Sequence, residues 1–220
     1  MGSARAGVVR LLEAVVALTL FVVVAPVVLV GAAVSAAHFR VWPFFTHGRV
    51  GLRESDVSVT KIRTLPPCTG THVDKYELRS VTVPKPMQRL RKLHIDELPQ
   101  LLGVVTGRLA FVGPRPEMRN LHETFPRSFA VKRTSVRPGL TGLWQVSDHV
   151  VGLIGETPEY DLFYVENRSG RLDAWILYRT LVKVLTGRTI TLADVPRWAL
   201  PAGERRAVPV ASGAGSSGVR

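Results

Sequence analysis

Between Ala14 and Ala37 no side chain carries a charge, and Val, Ala and Leu dominate. As a straight helix this run would reach about 36 Å, enough to cross the hydrocarbon of a bilayer. Three readings fit it. A signal peptide is suggested by Arg5, Arg10 and the cleavage-like Val34-Ser35-Ala36, but the run exceeds the usual ~7 to 15 apolar residues and Glu13 intrudes near its start. A single spanning helix fits the length. The third is a re-entrant hairpin that dips in and returns to the same side. Pro26, near the middle of the run, removes a backbone hydrogen bond and can bend a helix. Arg5 and Arg10 lie before the run and Arg40, Arg49 and Arg53 after it, so the positive-inside tendency assigns both ends to the cytoplasm. These two features favour the re-entrant form.

Shorter periodicities follow. Val41 to Gly51 interleaves aromatics with His47 and Arg49, which suits either a lipid headgroup layer or a loop under a small core. Val57 to Ile62 alternates as a strand and delivers Lys61, Arg63 and Thr64. Residues 65–81 are rich in Pro, Gly and Thr and read as loop. Met87 to Leu93 is a short basic helix whose polar side is either solvated or laid on anionic lipid. Leu98, Leu101, Leu102 and Val105 recur at helical spacing, with Asp96 as an N-cap, Pro99 in the first turn and Gly107 as a stop. Leu109 to Val112 reads as a brief strand. Leu172, Trp175, Ile176, Val182 and Leu185 form an apolar stripe beside Arg171, Arg179 and Lys183, a pattern for core packing first and an interfacial helix second. Residues 201–220, rich in Ala, Gly, Ser and Pro, are expected to be disordered.

The 220 residues allow one ordinary domain plus an appendage, and a formal net charge of +12 calls for an anionic partner. Nucleic acid is disfavoured, because that charge would have to coexist with a 24-residue membrane run. Phosphorylated substrates and a membrane surface remain. The single cysteine, Cys68, excludes an intramolecular disulfide and every Cys-rich zinc pattern, and suits a reducing compartment.

The chemistry concentrates at Asp96-Glu97, with Arg89, Arg91 and Lys92 before the pair and Arg108 and Arg115 after it. Either the two carboxylates cap a helix and are neutralised by their neighbours, or they hold a divalent metal and attack an anionic substrate. In Gly113-Pro114-Arg115-Pro116, two prolines fix the backbone around one guanidinium, whose planar fork suits phosphate. Val136 to Val146 repeats that grammar, with Arg137, two glycines that let backbone approach a ligand, and Trp144 to stack or pack.

These blocks, in this order, resemble the monotopic polyprenol-phosphate phosphoglycosyl transferases of the bacterial sugar transferase family. The resemblance runs from about Arg10 to about Leu185. It is carried by Pro43-Phe44-Phe45, Arg49-Val50-Gly51, Lys61-Ile62-Arg63-Thr64, Asp96 to Leu101, Gly113 to Pro116, Arg137 to Val146, and Tyr160-Asp161 with Tyr164. It implies an α/β, mostly helical fold. Residues 1–40 would form a re-entrant membrane helix broken near its middle. A small catalytic part over residues 41–200 would face the cytoplasm at the inner membrane, with amphipathic helices on the lipid surface, and residues 201–220 would be a tail. The reaction implied moves a phosphosugar from a nucleotide diphosphate sugar, usually a UDP-sugar, to polyprenol phosphate. Asp96 maps to the nucleophile and Glu97 to the ligand of Mg²⁺. Lys61, Arg63, Arg115 and Arg137 are candidates for phosphate contacts, and Asp161 for an acidic role near metal or sugar. The partners implied are the nucleotide sugar, polyprenol phosphate and membrane lipid, with a homodimer left open.

Three positions depart from the family pattern. Ala25 replaces the serine usual before the helix-breaking proline, and His94 replaces the serine usual two residues before the nucleophile. Asp148-His149 stands where Gly-Arg is common, so His149 inherits a substrate-binding position with less positive charge. That last change keeps a second reading open, a non-catalytic membrane-bound homologue acting as scaffold or regulator.

Overall fold

A computed structural model describes residues 2–69 and 81–201, with side chains described from residue 7 onward. The tail from residue 202 and most of the loop expected over 65–81 therefore lie outside the described residues. Eight α-helices and four strands are described, so the chain is mostly helical with two small sheets.

Helix α1 spans Gly2–Phe39 and runs helically through Pro26, where the sequence suggests a break. Ala17, Val28, Ala32 and Ser35 are buried along one side, while Pro26 sits on the exposed side, away from that packing. The buried side is made of small residues that let the rest of the chain come close. A β-carbon on Gly31 would sit 3.1 Å from Ile62 and 3.3 Å from Ile95. The opposite side is apolar and uncovered, with Val22, Val23, Leu29 and Val30 each more than 60% exposed. Polar ties pin both ends of the packed stretch. Arg10 Nη2 donates to the Thr106 carbonyl, and Ser35 Oγ donates to the Arg63 carbonyl at 2.6 Å.

Strands β1 (Phe44–Val50) and β2 (Asp56–Ile62) form an antiparallel hairpin, so the aromatic segment read from sequence as headgroup layer or loop is a strand. Helix α2 (Lys85–Lys92) buries Met87 and Leu90 against Val28 and Ile62. A 3₁₀ turn over Ile95–Gln100 then leads into α3 (Leu101–Val105), which packs Leu101 and Val104 on Ala17, Val57 and Val59. The residue flanking that turn is His94, in the left-handed region at φ 54°, so Asp96 lies within the first turn and is not the cap. Gly107, at φ +72°, ends α3 as the sequence implies, and a side chain there would also collide with the Arg10 guanidinium.

Strand β3 (Ala110–Val112) pairs in parallel with β4 (Gly139–Thr141). A β-carbon on Gly139 would fall 2.1 Å from the Gly113 nitrogen, and one on Gly142 would fall 2.2 Å from the Gly113 carbonyl oxygen. The glycines of 136–146 thus serve strand against strand, a correction to their reading as an approach to ligand. Helices α4 (Arg119–Glu123), α5 (Arg127–Arg133), α6 (Leu143–Val146), α7 (Glu159–Asn167) and α8 (Gly170–Thr186) complete the fold. Phe129, Leu143, Trp144, Tyr160, Phe163, Tyr164, Leu172, Trp175 and Ile176 make its largest core. Trp144 packs within that core at 4% exposure and donates Nε1–H to the Thr157 hydroxyl.

Candidate active site

The hairpin register builds one wall. Arg49 lies opposite Val57, His47 opposite Val59 and Phe45 opposite Lys61, so all six side chains share one face. Val57 and Val59 anchor that face in the core beneath α1 and α3. Lys61, at its end, meets the 3₁₀ turn that carries Asp96 and Glu97. The segment after β3 brings Arg115 and Glu117 from the other side. Lys61 Nζ donates to Glu97 Oε1 at 2.5 Å, and Arg115 Nη2 lies 3.7 Å from the same oxygen. Arg115 Nε is 4.0 Å from Glu117 Oε1, and Arg49 Nη1 is 3.7 Å from Glu117 Oε2. Arg49 Nε donates to His47 Nδ1 at 3.2 Å. The result is a chain of alternating charge, Lys61, Glu97, Arg115, Glu117, Arg49, ending on a histidine.

The two neighbouring carboxylates differ sharply. Burial pushes Glu97 up, but Lys61 and Arg115 outweigh it and hold the carboxyl far below its usual range, so it stays ionised. Asp96 is 7% exposed and has no ion-pair partner among the described residues. Burial and the ionised Glu97 beside it raise its pKa, against smaller opposing effects of Lys61 and Arg91. One carboxylate is therefore held by cations and the other is kept free and high in energy, the kind of divergence that separates roles within a carboxylate pair. Burial pulls the Lys61 ammonium down while Glu97 opposes it, and burial with nearby Arg49, Lys61 and Arg115 holds His47 neutral with its pKa lowered to about 3.

Among the described residues no group of three or more His, Cys, Asp or Glu side chains gathers to hold a metal ion. Two carboxylates remain at the dyad, and their mutual repulsion is what a divalent cation would relieve. Mg²⁺ is commonly held by one or two carboxylates together with substrate phosphates and water, so the donor set fits an ion that arrives with a phosphorylated substrate.

Of the residues nominated from sequence, Asp96, Glu97, Lys61 and Arg115 come together. The others are placed elsewhere. Arg63 donates Nε–H to the Trp42 carbonyl and stacks on Phe45 at 5.2 Å. Arg137 pairs with Glu13 of α1 and donates to the Leu109 carbonyl, so it ties α1 to the residue that precedes β3. Asp161 is 1% exposed and accepts from Arg133, which in turn donates Nη2–H to the Arg115 carbonyl at 2.8 Å. It supports the Arg115 loop from behind. His149 lies half-exposed against Asp148 and the Tyr160 ring, and among the described residues it makes no tie to the Glu97 cluster. Sequence reasoning passed over His47 and Glu117 as site residues, and used Arg49 only as a flanking charge and a family block. The period-two set Phe45, His47, Arg49, mirrored by Val57, Val59, Lys61, is the signal that could have found two of them. A shallow apolar groove lined by Ala174, Trp175, Tyr178, Asp194, Pro196 and Trp198 contains none of these residues.

Residues 4–187 match the family model described as bacterial sugar transferase. A UDP-N-acetylgalactosamine-undecaprenyl-phosphate N-acetylgalactosaminephosphotransferase of Aeromonas hydrophila is 33% identical over 186 residues, covering 80% of this chain and 43% of the relative. The exopolysaccharide production protein ExoY of Rhizobium meliloti is 41% identical over 99 residues, 45% of this chain and 43% of the relative. A UDP-glucose:undecaprenyl-phosphate glucose-1-phosphate transferase of Xanthomonas campestris pv. campestris is 33% identical over 159 residues, 66% of this chain and 32% of the relative. The chain thus spans less than half the length of each of these three.

Proposed function

The chain belongs to the bacterial sugar transferase family, and from that premise we propose that it transfers a phosphosugar from a UDP-sugar to a polyprenol phosphate, undecaprenyl phosphate by analogy with its relatives, in the initiation of exopolysaccharide or a related glycan. The observation that carries the reading is the divergence within the dyad: Asp96 unpaired, Glu97 locked between Lys61 and Arg115.

In this reading an Asp96 oxygen attacks the phosphorus bonded to the sugar. The bond from that phosphorus to the bridging oxygen breaks, UMP leaves with the electron pair, and the phosphosugar remains on Asp96 as an acyl phosphate. An oxygen of polyprenol phosphate then attacks the same phosphorus, the bond to Asp96 breaks, and the carboxylate is restored. Two half-reactions let a soluble donor and a lipid-held acceptor use one site in turn. Lys61 and Arg115 neutralise phosphate charge and fix the dyad. Bound at Glu97 and substrate phosphate oxygens, Mg²⁺ would supply further charge neutralisation.

The uncovered apolar side of α1 supports burial in lipid, and the arginines flanking both ends of its uncharged run support placing both ends toward the cytoplasm at the inner membrane. Attachment of the packed side to α3, β2 and the Ile95–Gln100 turn would hold the dyad at the bilayer surface, where the acceptor phosphate resides. The Asp148-His149 change lies outside the charged cluster, so the second reading as a scaffold gains no support from the dyad's surroundings. The test incubates purified protein with UDP-sugars, polyprenol phosphate and Mg²⁺ and measures UMP. Mg²⁺-dependent UMP release, with the sugar phosphate trapped on Asp96 when acceptor is omitted, is expected. Protein that releases no UMP from any UDP-sugar would overturn the assignment.

A further inference from the structure

His47 is a member of the charged cluster that the dyad chemistry does not use. Its Nδ1 accepts from Arg49 Nε, and because a guanidinium can only donate, the ring proton of the neutral imidazole must sit on Nε2. That Nε2 atom is buried and has no hydrogen-bond partner among the described residues. A buried N–H left without an acceptor costs about 1–3 kcal/mol and calls for a reason. The ring lies against Phe45, 5.3 Å between centroids with the planes tilted by 37°, and strand register places it opposite Val59. Arg49, Lys61 and Arg115 are all near enough to act on it electrostatically, with Glu97 opposing them. A fixed, unpaired N–H among three cations is a donor waiting for an anion.

We propose that His47 is a substrate-binding residue whose Nε2–H donates to a phosphate oxygen of the diphosphate donor, completing an anion site with Arg49, Lys61 and Arg115. The inference rests on reading the Glu97 cluster as a diphosphate site. It gives the hairpin a direct part in ground-state binding, separate from the bond-making role of Asp96. A neutral donor suits this place, because it adds direction without adding a fourth positive charge to be buried when the site is empty.

The test titrates the full chain in detergent micelles with inorganic pyrophosphate and Mg²⁺ by calorimetry. His47→Phe keeps the ring and loses the donor, and should weaken pyrophosphate binding about 10-fold, the effect of roughly one hydrogen bond to a charged group. His47→Gln carries both an N–H donor and an oxygen for Arg49, and should stay within about 3-fold of the parent. In the unmutated protein, the ¹⁵N resonance of His47 Nε2 should move on adding pyrophosphate, a response that a merely structural histidine would not give. Equal affinity of His47→Phe and parent, or an Nε2 resonance that does not respond, would overturn this role while leaving the diphosphate site standing. A parent protein that binds no pyrophosphate would sink both.

Discussion

The Arg133–Asp161 pair and the Lys61–Glu97–Arg115 cluster are both carboxylates held by cations, yet they sit in opposite conditions. The Arg133 and Asp161 side chains are buried and meet through two guanidinium nitrogens, and the guanidinium lies over Phe125 and Phe129. Arg133 also donates to the Arg115 carbonyl, and every one of these contacts is internal. Among the described residues, the Glu97 cluster instead leaves Asp96 without an ion-pair partner, His47 Nε2 without an acceptor and Arg115 about a third exposed. One system is satisfied and holds a loop in place. The other is left incomplete by the protein alone, which is the condition of a site that a ligand finishes.

Replacing Asp96 tests the incomplete side most severely. Asp96→Asn should lower UMP release by on the order of 10⁴-fold, as loss of a covalent nucleophile does, yet raise the melting temperature. The sign follows from the raised carboxyl: the folded state holds its proton more tightly than the unfolded, so ionisation at neutral pH opposes folding and a neutral amide removes that opposition. An Asp96→Asn protein that melts below the parent would contradict the strained state assigned to this carboxylate.

On the satisfied side the effect should fall on stability first. Arg133→Met leaves Asp161 buried without a partner and should cost about 3–5 kcal/mol, with much of it recovered in Arg133→Met/Asp161→Leu. Denaturant unfolding in detergent reads both. Activity lost in the double variant despite recovered stability would then report the positioning of Arg115.

Acid titration gives a smaller and graded effect. The folded protein keeps His47 neutral down to about pH 3, whereas the unfolded chain takes up that proton near pH 6.5, so the unfolded state binds more protons between those values. Stability should therefore fall as pH drops below 6.5, by at most about 1.4 kcal/mol per unit, before the ordinary carboxylates titrate. His47→Gln should flatten the curve between pH 6.5 and 5. An unchanged slope in that variant would assign the acid sensitivity elsewhere. The smallest effect is expected at Glu13→Gln, which weakens the partly exposed pair to Arg137 and should cost about 1 kcal/mol or less, detectable as a modest drop in melting temperature.

Much of this was legible in residue order. The uncharged run marked α1, the alternation of Val57 to Ile62 marked β2, Gly107 marked the end of α3, and the stripe from Leu172 marked α8, because each depends on local periodicity or a single backbone requirement. The acidic pair stood out for the same reason, as adjacent carboxylates in a strongly basic chain. What the residue order could not decide was which of many arginines, histidines and acids would meet. Arg137 went to Glu13 across 124 positions, Asp161 to Arg133 across 28, and Glu97 to Lys61 across 36. β1 and β4 were missed because short strands are defined by partners distant in the chain, and the glycines of 136–146 proved to serve the meeting of β3 with β4. The sequence by itself determined the apolar helix, the family blocks and the dyad, since these are written in neighbouring residues. Only tertiary structure decided that Asp96 would be left unpaired while Glu97 was neutralised, because long-range packing sets which charges lose water and which find a partner.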